Sequence, residues 1–195
     1  MRLDHIAYRV KDRYKTAKFL EDTLGYTIGT EFQVEFDDDS KADCLALVPS
    51  ENRAHLPENW INTSTHCYEN IETWTDEVGC EEDVTLHAPP ELFVSDGPPG
   101  SIVGDWVANR GNVGGVHHIA YQVSNVADVM KKWKDAGYAE FLSEEPMTCP
   151  GLVQVFTKPS ELTGVIYELI SREGDGFCED NVKNLMLSTV QTARV

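Results

Sequence analysis

The sequence predicts an α+β fold in which two tandem βαβββ modules pair into an incomplete mixed β-barrel around a shared cavity. Three observations predict it. The phrase LDHIAYRV at residues 3–10 returns without gaps as VHHIAYQV at 116–123, with His5 and His118 standing 113 positions apart (118 − 5). A helical pattern ending in Gly-Tyr follows each copy, its glycine 20 residues after His5 (25 − 5) and 19 after His118 (137 − 118). Three strand-like segments then close each half, so a whole supersecondary unit recurs.

Each element has its own signal. The first copy reads as a strand. It is followed by a helix in DRYKTAKFLEDTLGY, where Tyr14, Ala17, Leu20 and Leu24 recur at helical spacing and Gly25 stands as the C-terminal cap. The strands expected next are TIGTEFQVEF, ADCLALVP and ELFVSD. Between the second and third lies an insertion, residues 50–89, rich in Asn, Glu, Thr and Pro, with a helix expected in NIETWTDEV. A connection that long usually covers a site or is mobile. Residues 97–115 read as a turn, a short helix and a glycine-rich approach to the second copy. There a helix is expected in SNVADVMKKWKDAGY, with Val126, Val129, Met130 and Trp133 on one face, and strands in AEFLSEE, LVQVFTK and GVIYELI. The domain expected is single, 1–195. It divides into a first module over 1–98 and a remainder over 99–195 that holds the linker, the second module and a C-terminal helix.

Composition narrows the class. At 195 residues the chain is long enough to bury a core without disulfides. Its five cysteines are odd in number and show no CxxC spacing, so free thiols in a reducing, cytoplasmic setting are expected. A formal charge of −17 argues against nucleic acid and against an anionic membrane surface. No apolar run approaches the length of a membrane span. An anionic substrate would be repelled at long range and would need a local positive group.

The repeat, its helices and the linker SIVGDWV before HHIA resemble the vicinal oxygen chelate superfamily, which includes glyoxalase, methylmalonyl-CoA epimerase and 4-hydroxyphenylpyruvate dioxygenase. That resemblance implies one divalent metal held by the first and last strands of the modules. Strand alternation puts His5, Ala7 and Arg9 on one face. In the second copy it puts His118, Ala120 and Gln122 on one face and His117, Ile119 and Tyr121 on the other, so His118 is the expected partner of His5. In GVIYELI, Glu168 stands between Ile166 and Ile170 on a face where an unpartnered carboxylate would be costly. His5, His118 and Glu168 form a two-histidine, one-carboxylate set. Alternation also puts Glu91, Phe93 and Ser95 on one face, and alignment with the epimerases and glyoxalases implies Glu91 as a fourth ligand or as a base. His55, His66 and His87 have no periodic support and are expected at the surface.

The stretch CPGLVQVFTKPSELTGVIYELISREG resembles 4-hydroxyphenylpyruvate dioxygenase closely, and the tail GDGFCEDNVKNLM resembles its C-terminal gate helix. By that resemblance Gln154, Phe156, Phe177 and Asn181 would line a substrate pocket, with Gln122 on the metal-side face. Ile166 and Val182 stand where that enzyme carries aromatic residues, so a smaller or non-aromatic substrate is expected. Arg9 faces inward and would either grip a substrate carboxylate or pair with an acid such as Glu91. The function implied is a metal-dependent enzyme acting on a small 2-oxo or hydroxy acid or its thioester, dioxygenase-like, with Glu91 or Glu168 as a base in an isomerase. The metal would be Fe2+ in a dioxygenase, and Zn2+, Ni2+ or Co2+ in an epimerase or lyase of the glyoxalase type. A metal-free antibiotic-sequestering protein is the reading from another class. The partners implied are a small anionic substrate and a second copy of the chain in a homodimer.

Overall fold

The structure is a computed structural model that describes residues 1–36, 40–49, 72–75, 81–84, 90–172 and 179–190. In chain order the elements are β1 (Arg2–Arg9), α1 (Arg13–Leu24), β2 (Tyr26–Glu35), β3 (Lys41–Pro49), β4 (Glu72–Thr75), β5 (Glu81–Val84), β6 (Glu91–Asp96), α2 (Ile102–Ala108), β7 (Gly115–Gln122), α3 (Val126–Asp135), β8 (Met147–Cys149), β9 (Leu152–Phe156), β10 (Ile166–Arg172) and α4 (Glu179–Val190). Eight strands form one mixed sheet, in the order β2-β3-β6-β1-β7-β10-β9-β8, that curves into an open half-barrel. The two repeated strands lie side by side and antiparallel at its centre, and each runs parallel to a closing strand, β1 to β6 and β7 to β10.

Both repeat helices start on a side-chain cap. Asp12 accepts from the Lys15 amide at 2.9 Å and Asn125 from the Asp128 amide at 3.1 Å, which satisfies donors the helix leaves open. Gly25 ends α1 in the left-handed conformation, φ 73°, its N–H returning to Leu20 and Glu21. Ala17 and Leu20 of α1 pack with Val10, Tyr26, Leu45, Leu47, Leu92 and Val94, and with Ile6 and Tyr8 at the edge. Tyr14 and Leu24 of the expected stripe are exposed instead, so the buried face of α1 is narrower than its periodicity suggests. In the second half Val126 and Met130 pack against Val123, Val155 and Leu169.

Three expectations are corrected. The described part of NIETWTDEV is not helical: Glu72–Thr75 is a strand paired antiparallel with Glu81–Val84, in keeping with the strand preference of Thr-Trp-Thr. AEFLSEE contributes only one bridge, Phe141 to Thr157, and the strand begins later at Met147. There the Ser143 hydroxyl donates to the Glu145 carbonyl at 2.7 Å, a local bond that competes with strand pairing. Free thiols hold for buried Cys44, but Cys149 is disulfide-bonded. The expectations for His55, His66, His87 and Phe177 lie outside the described residues.

The sheet has two irregularities that strand alternation does not foresee. Between β1 and β7 the register passes from Leu3↔Tyr121 to His5↔Ala120, and from Ala7↔His118 to Tyr8↔Val116. Asp4 is therefore the extra residue on β1 and His117 the extra residue on β7. They are the same position of the repeat, the one before each histidine. A bulge sets two successive side chains against one partner and re-aims them.

Candidate metal centre

Three side chains from three neighbouring strands converge. Nε2 of His5 lies 3.2 Å from Nε2 of His118 and 3.3 Å from Oε2 of Glu168, and Nε2 of His118 lies 3.4 Å from the same Oε2. The register explains the convergence: Ala120 of β7 pairs with His5 on one side and with Glu168 on the other, and His118 stands two residues before it on the same strand. The three residues are 3%, 8% and 1% exposed. Donor atoms held at about 2.1 Å from a common centre stand roughly 3.0–3.4 Å apart at right-angled to tetrahedral spacing. The near-equilateral triangle fits that requirement, and these three residues are the one His/Cys/Asp/Glu group of this kind among the described residues.

The bulges hold the histidines from behind. Nδ1 of His5 donates to Oδ1 of Asp4 at 2.8 Å, which leaves the Nε2 lone pair facing the triangle. Nδ1 of His118 lies 2.9 Å from Nδ1 of His117. Such outer partners fix tautomer and ring orientation in metal sites. Asp4 is itself bonded by Arg172, whose Nε donates to Oδ2 at 3.1 Å. Burial works against the His5 charge, yet Glu168 and Asp4 raise its pKa to about 9. Burial raises that of Glu168. His118 is held well below its usual value by burial and by the nearby positive charge of His5 and Arg9.

The other expected residues divide. Glu91 pairs with His5 in register, but its carboxylate accepts from Arg172 Nη2 at 3.0 Å and it stands outside the triangle. Phe93, on the same face, packs its ring on His5 with centroids 5.3 Å apart. Arg9, Gln154 and Phe156 all line the central cavity, as do Ser95, Cys44 and, from α4, Val182, Leu185 and Met186. The free space there is about 50 Å³. Gln122 shares the strand face of His118 but lies at its far end, its amide directed to the Arg172 carbonyl at 3.4 Å. Asn181 is buried, and its Nδ2 has no hydrogen-bond partner among the described residues.

Asp4, Arg172 and His117 were missed from the sequence. The signal for the first and last was present: each immediately precedes a repeat histidine. Strict alternation assigned His117 to the opposite face, and the bulge brings it into the cavity lining instead.

Two histidines and a glutamate thus converge from three adjacent strands of an open eight-stranded half-barrel. The Glyoxalase/Bleomycin resistance protein/Dioxygenase superfamily matches residues 2–163, and the chain belongs to that superfamily. No curated protein matches the sequence. Among solved structures, a Streptomyces coelicolor methylmalonyl-CoA epimerase variant in complex with 2-nitronate-propionyl-CoA is 21% identical, with TM-score 0.54 over 89% of this chain and 99% of that one. The epimerase from Mycobacterium tuberculosis is 16% identical, with TM-score 0.55 over 89% of each chain. A mutant 4-hydroxymandelate synthase from Streptomyces coelicolor is 17% identical, with TM-score 0.66, over 98% of this chain and 55% of that one. At these identities the likeness is one of fold. No helix among the described residues is long and apolar enough to cross a membrane.

Proposed function

We propose that the chain is a metal-dependent enzyme that binds a small 2-oxo or hydroxy acid, or its thioester, through adjacent oxygens. The observation that carries this reading is the triangle of Nε2, Nε2 and Oε2 atoms at 3.2–3.4 Å, buried, with both histidines oriented through Nδ1. His5, His118 and Glu168 would hold one divalent cation. That cation supplies Lewis-acid stabilisation of the substrate oxygens, and iron(II) would add redox chemistry with dioxygen.

The chain's own residues do the rest. Asp4 and His117 hold the two imidazoles through Nδ1 and turn Nε2 of each toward the triangle. Gln154 and Phe156 bound the substrate space, and the Phe156 ring lies 5.7 Å from that of His118. Val182, Leu185 and Met186 cover the cavity with apolar surface and exclude water. Arg9 provides positive charge for an anionic substrate. Glu91, engaged by Arg172, is not counted among the ligands. A dioxygenase-like enzyme suits a three-residue set with open positions. An epimerase or lyase is the second reading, favoured by the match to epimerases over nearly their whole length. In that case the base falls to Glu168, the carboxylate at the chelate.

The test is anaerobic reconstitution of untagged protein with iron(II), zinc, nickel and cobalt, followed by a panel of 2-oxo acids with oxygen uptake recorded. Stoichiometric metal with oxygen consumed only in the iron form supports the dioxygenase-like reading. Turnover without oxygen uptake supports the second. Failure to retain any metal would overturn both and leave a binding protein.

A further inference from the structure

The two halves of the sheet repeat one pairing. Residues His5 to Arg9 of β1 run parallel to Glu91 to Ser95 of β6, and His118 to Gln122 of β7 run parallel to Ile166 to Ile170 of β10. Both pairings are continuous. The repeat that equates His5 with His118 therefore also equates the residues opposite them. His5 pairs with Glu91 where His118 pairs with Ile166, and Ala7 pairs with Phe93 where Ala120 pairs with Glu168. Phe93, and not Glu91, is the first-half counterpart of the Glu168 carboxylate. The packing agrees. Phe93 is 9% exposed and lines the cavity. Its ring lies 5.3 Å from that of His5 and 6.0 Å from that of Phe32, with Ala7 and Ala46 in the same apolar cluster. Glu91 stands outside that lining, its carboxylate engaged by Arg172. The second half thus brings a histidine and a carboxylate to the cavity, and the first half brings a histidine and an aromatic ring.

We infer that Phe93 is a specificity-determining residue: it fills the position from which a fourth protein oxygen would reach the cation, and so leaves that coordination place to a substrate oxygen. This deepens the reading above and rests on it. A phenyl ring offers no lone pair, and Phe32, Ala7 and Ala46 around it add none from their side chains. Three protein donors leave two places in a five-coordinate shell. The ligand class that suits such a centre is one that binds through two oxygens at once. A carboxylate at position 93 would complete a four-donor set and compete with the substrate for one of those places.

The test uses cobalt-loaded protein, with oxalate as the two-oxygen probe and the visible spectrum as the readout. Cobalt affinity is measured by competition with a chromophoric chelator. Phe93→Glu is expected to tighten cobalt binding about tenfold and to weaken oxalate binding about tenfold, because a donor is gained and an open place is lost. Phe93→Gln repeats the test with an uncharged oxygen donor, which costs less to bury, and should shift both affinities in the same directions. Phe93→Leu, apolar and without a donor, should leave both within about threefold of wild type. The carboxylate should also be transferable between the halves: Glu168→Leu should lose stoichiometric cobalt, and Phe93→Glu added to it should restore the metal. If Phe93→Glu and Phe93→Gln both bind cobalt and oxalate as the wild type does, position 93 does not reach the cation, and the inference falls while the three-residue centre stands. Loss of cobalt in Glu91→Gln would place the fourth donor at 91 and overturn it equally. A wild-type chain that takes up no cobalt would overturn both the inference and the metal reading.

Discussion

Oδ1 of Asp4 lies 2.8 Å from Nδ1 of His5, although the two are successive residues of one strand. Alternation would send their side chains to opposite faces. The bulge at Asp4 brings them together, and Arg172 holds the far oxygen of the same carboxylate. Asp4→Asn keeps size and an acceptor but removes the charge. Metal affinity, measured by competition with a chromophoric chelator, is expected to fall about tenfold, the lower end of what outer-shell partners contribute. An unchanged affinity would mean that His5 is oriented by packing alone.

The neighbouring histidines of β7 should separate cleanly. His118→Ala removes one corner of the triangle and should abolish stoichiometric metal. His117→Ala removes only the group behind His118, so metal should still bind, about tenfold more weakly. Metal analysis of both variants after dialysis distinguishes them. Equal and complete loss would make His117 itself a ligand and displace the bulge argument.

The contrast shows how far the sequence could be read. The repeat was legible because both copies carry the same period, the same histidine and the same glycine stop, and from it came the sheet, the two central strands and the triangle. The bulges were not legible, since an extra residue leaves no mark in a pattern of alternation. That is why His117 was assigned to the wrong face and Asp4 was passed over. Glu91 pairs with His5 in register. What alternation could not see was Arg172, 81 positions away, whose guanidinium engages its carboxylate. AEFLSEE failed for a local reason, a serine that bonds its own turn.

Cys44 lines the same cavity but should be inert. Burial raises its thiol pKa to about 12, helped by the negative charge of Asp43 and Asp96. The unfolded thiol ionises near 9.0. A group that ionises more readily when unfolded contributes its stability below the unfolded value and loses it as pH rises from about 9 toward 12. Iodoacetamide at pH 8 should therefore leave Cys44 unmodified in the native chain and label it after denaturation, as read by peptide mass spectrometry. The Cys44→Ala variant should show a shallower loss of stability above pH 9. Labelling of native Cys44 at pH 8 would show that the cavity is open to solvent.

Arg9 completes the case for an acid substrate. It is 3% exposed, and it is the one lysine or arginine among the described residues that line the cavity. Burial lowers its pKa to about 9, with Cys44 acting in the opposite direction, so it remains cationic at neutral pH. A buried cation in so acidic a chain gives an anion a local destination that the overall field denies it. The guanidinium fork can hold a carboxylate by two parallel bonds, and the ammonium of lysine cannot reproduce that geometry. Arg9→Lys should raise the Michaelis constant for the 2-oxo acid that the panel identifies, with metal content unchanged. Loss of such a contact costs on the order of 2 kcal/mol. At about 1.4 kcal/mol per decade, that is roughly a thirtyfold weakening. Arg9→Met should weaken binding further, because the charge is lost as well as the fork. If both variants match the wild type in Michaelis constant and metal content, Arg9 serves only the packing around Trp106, and the substrate need not be an acid.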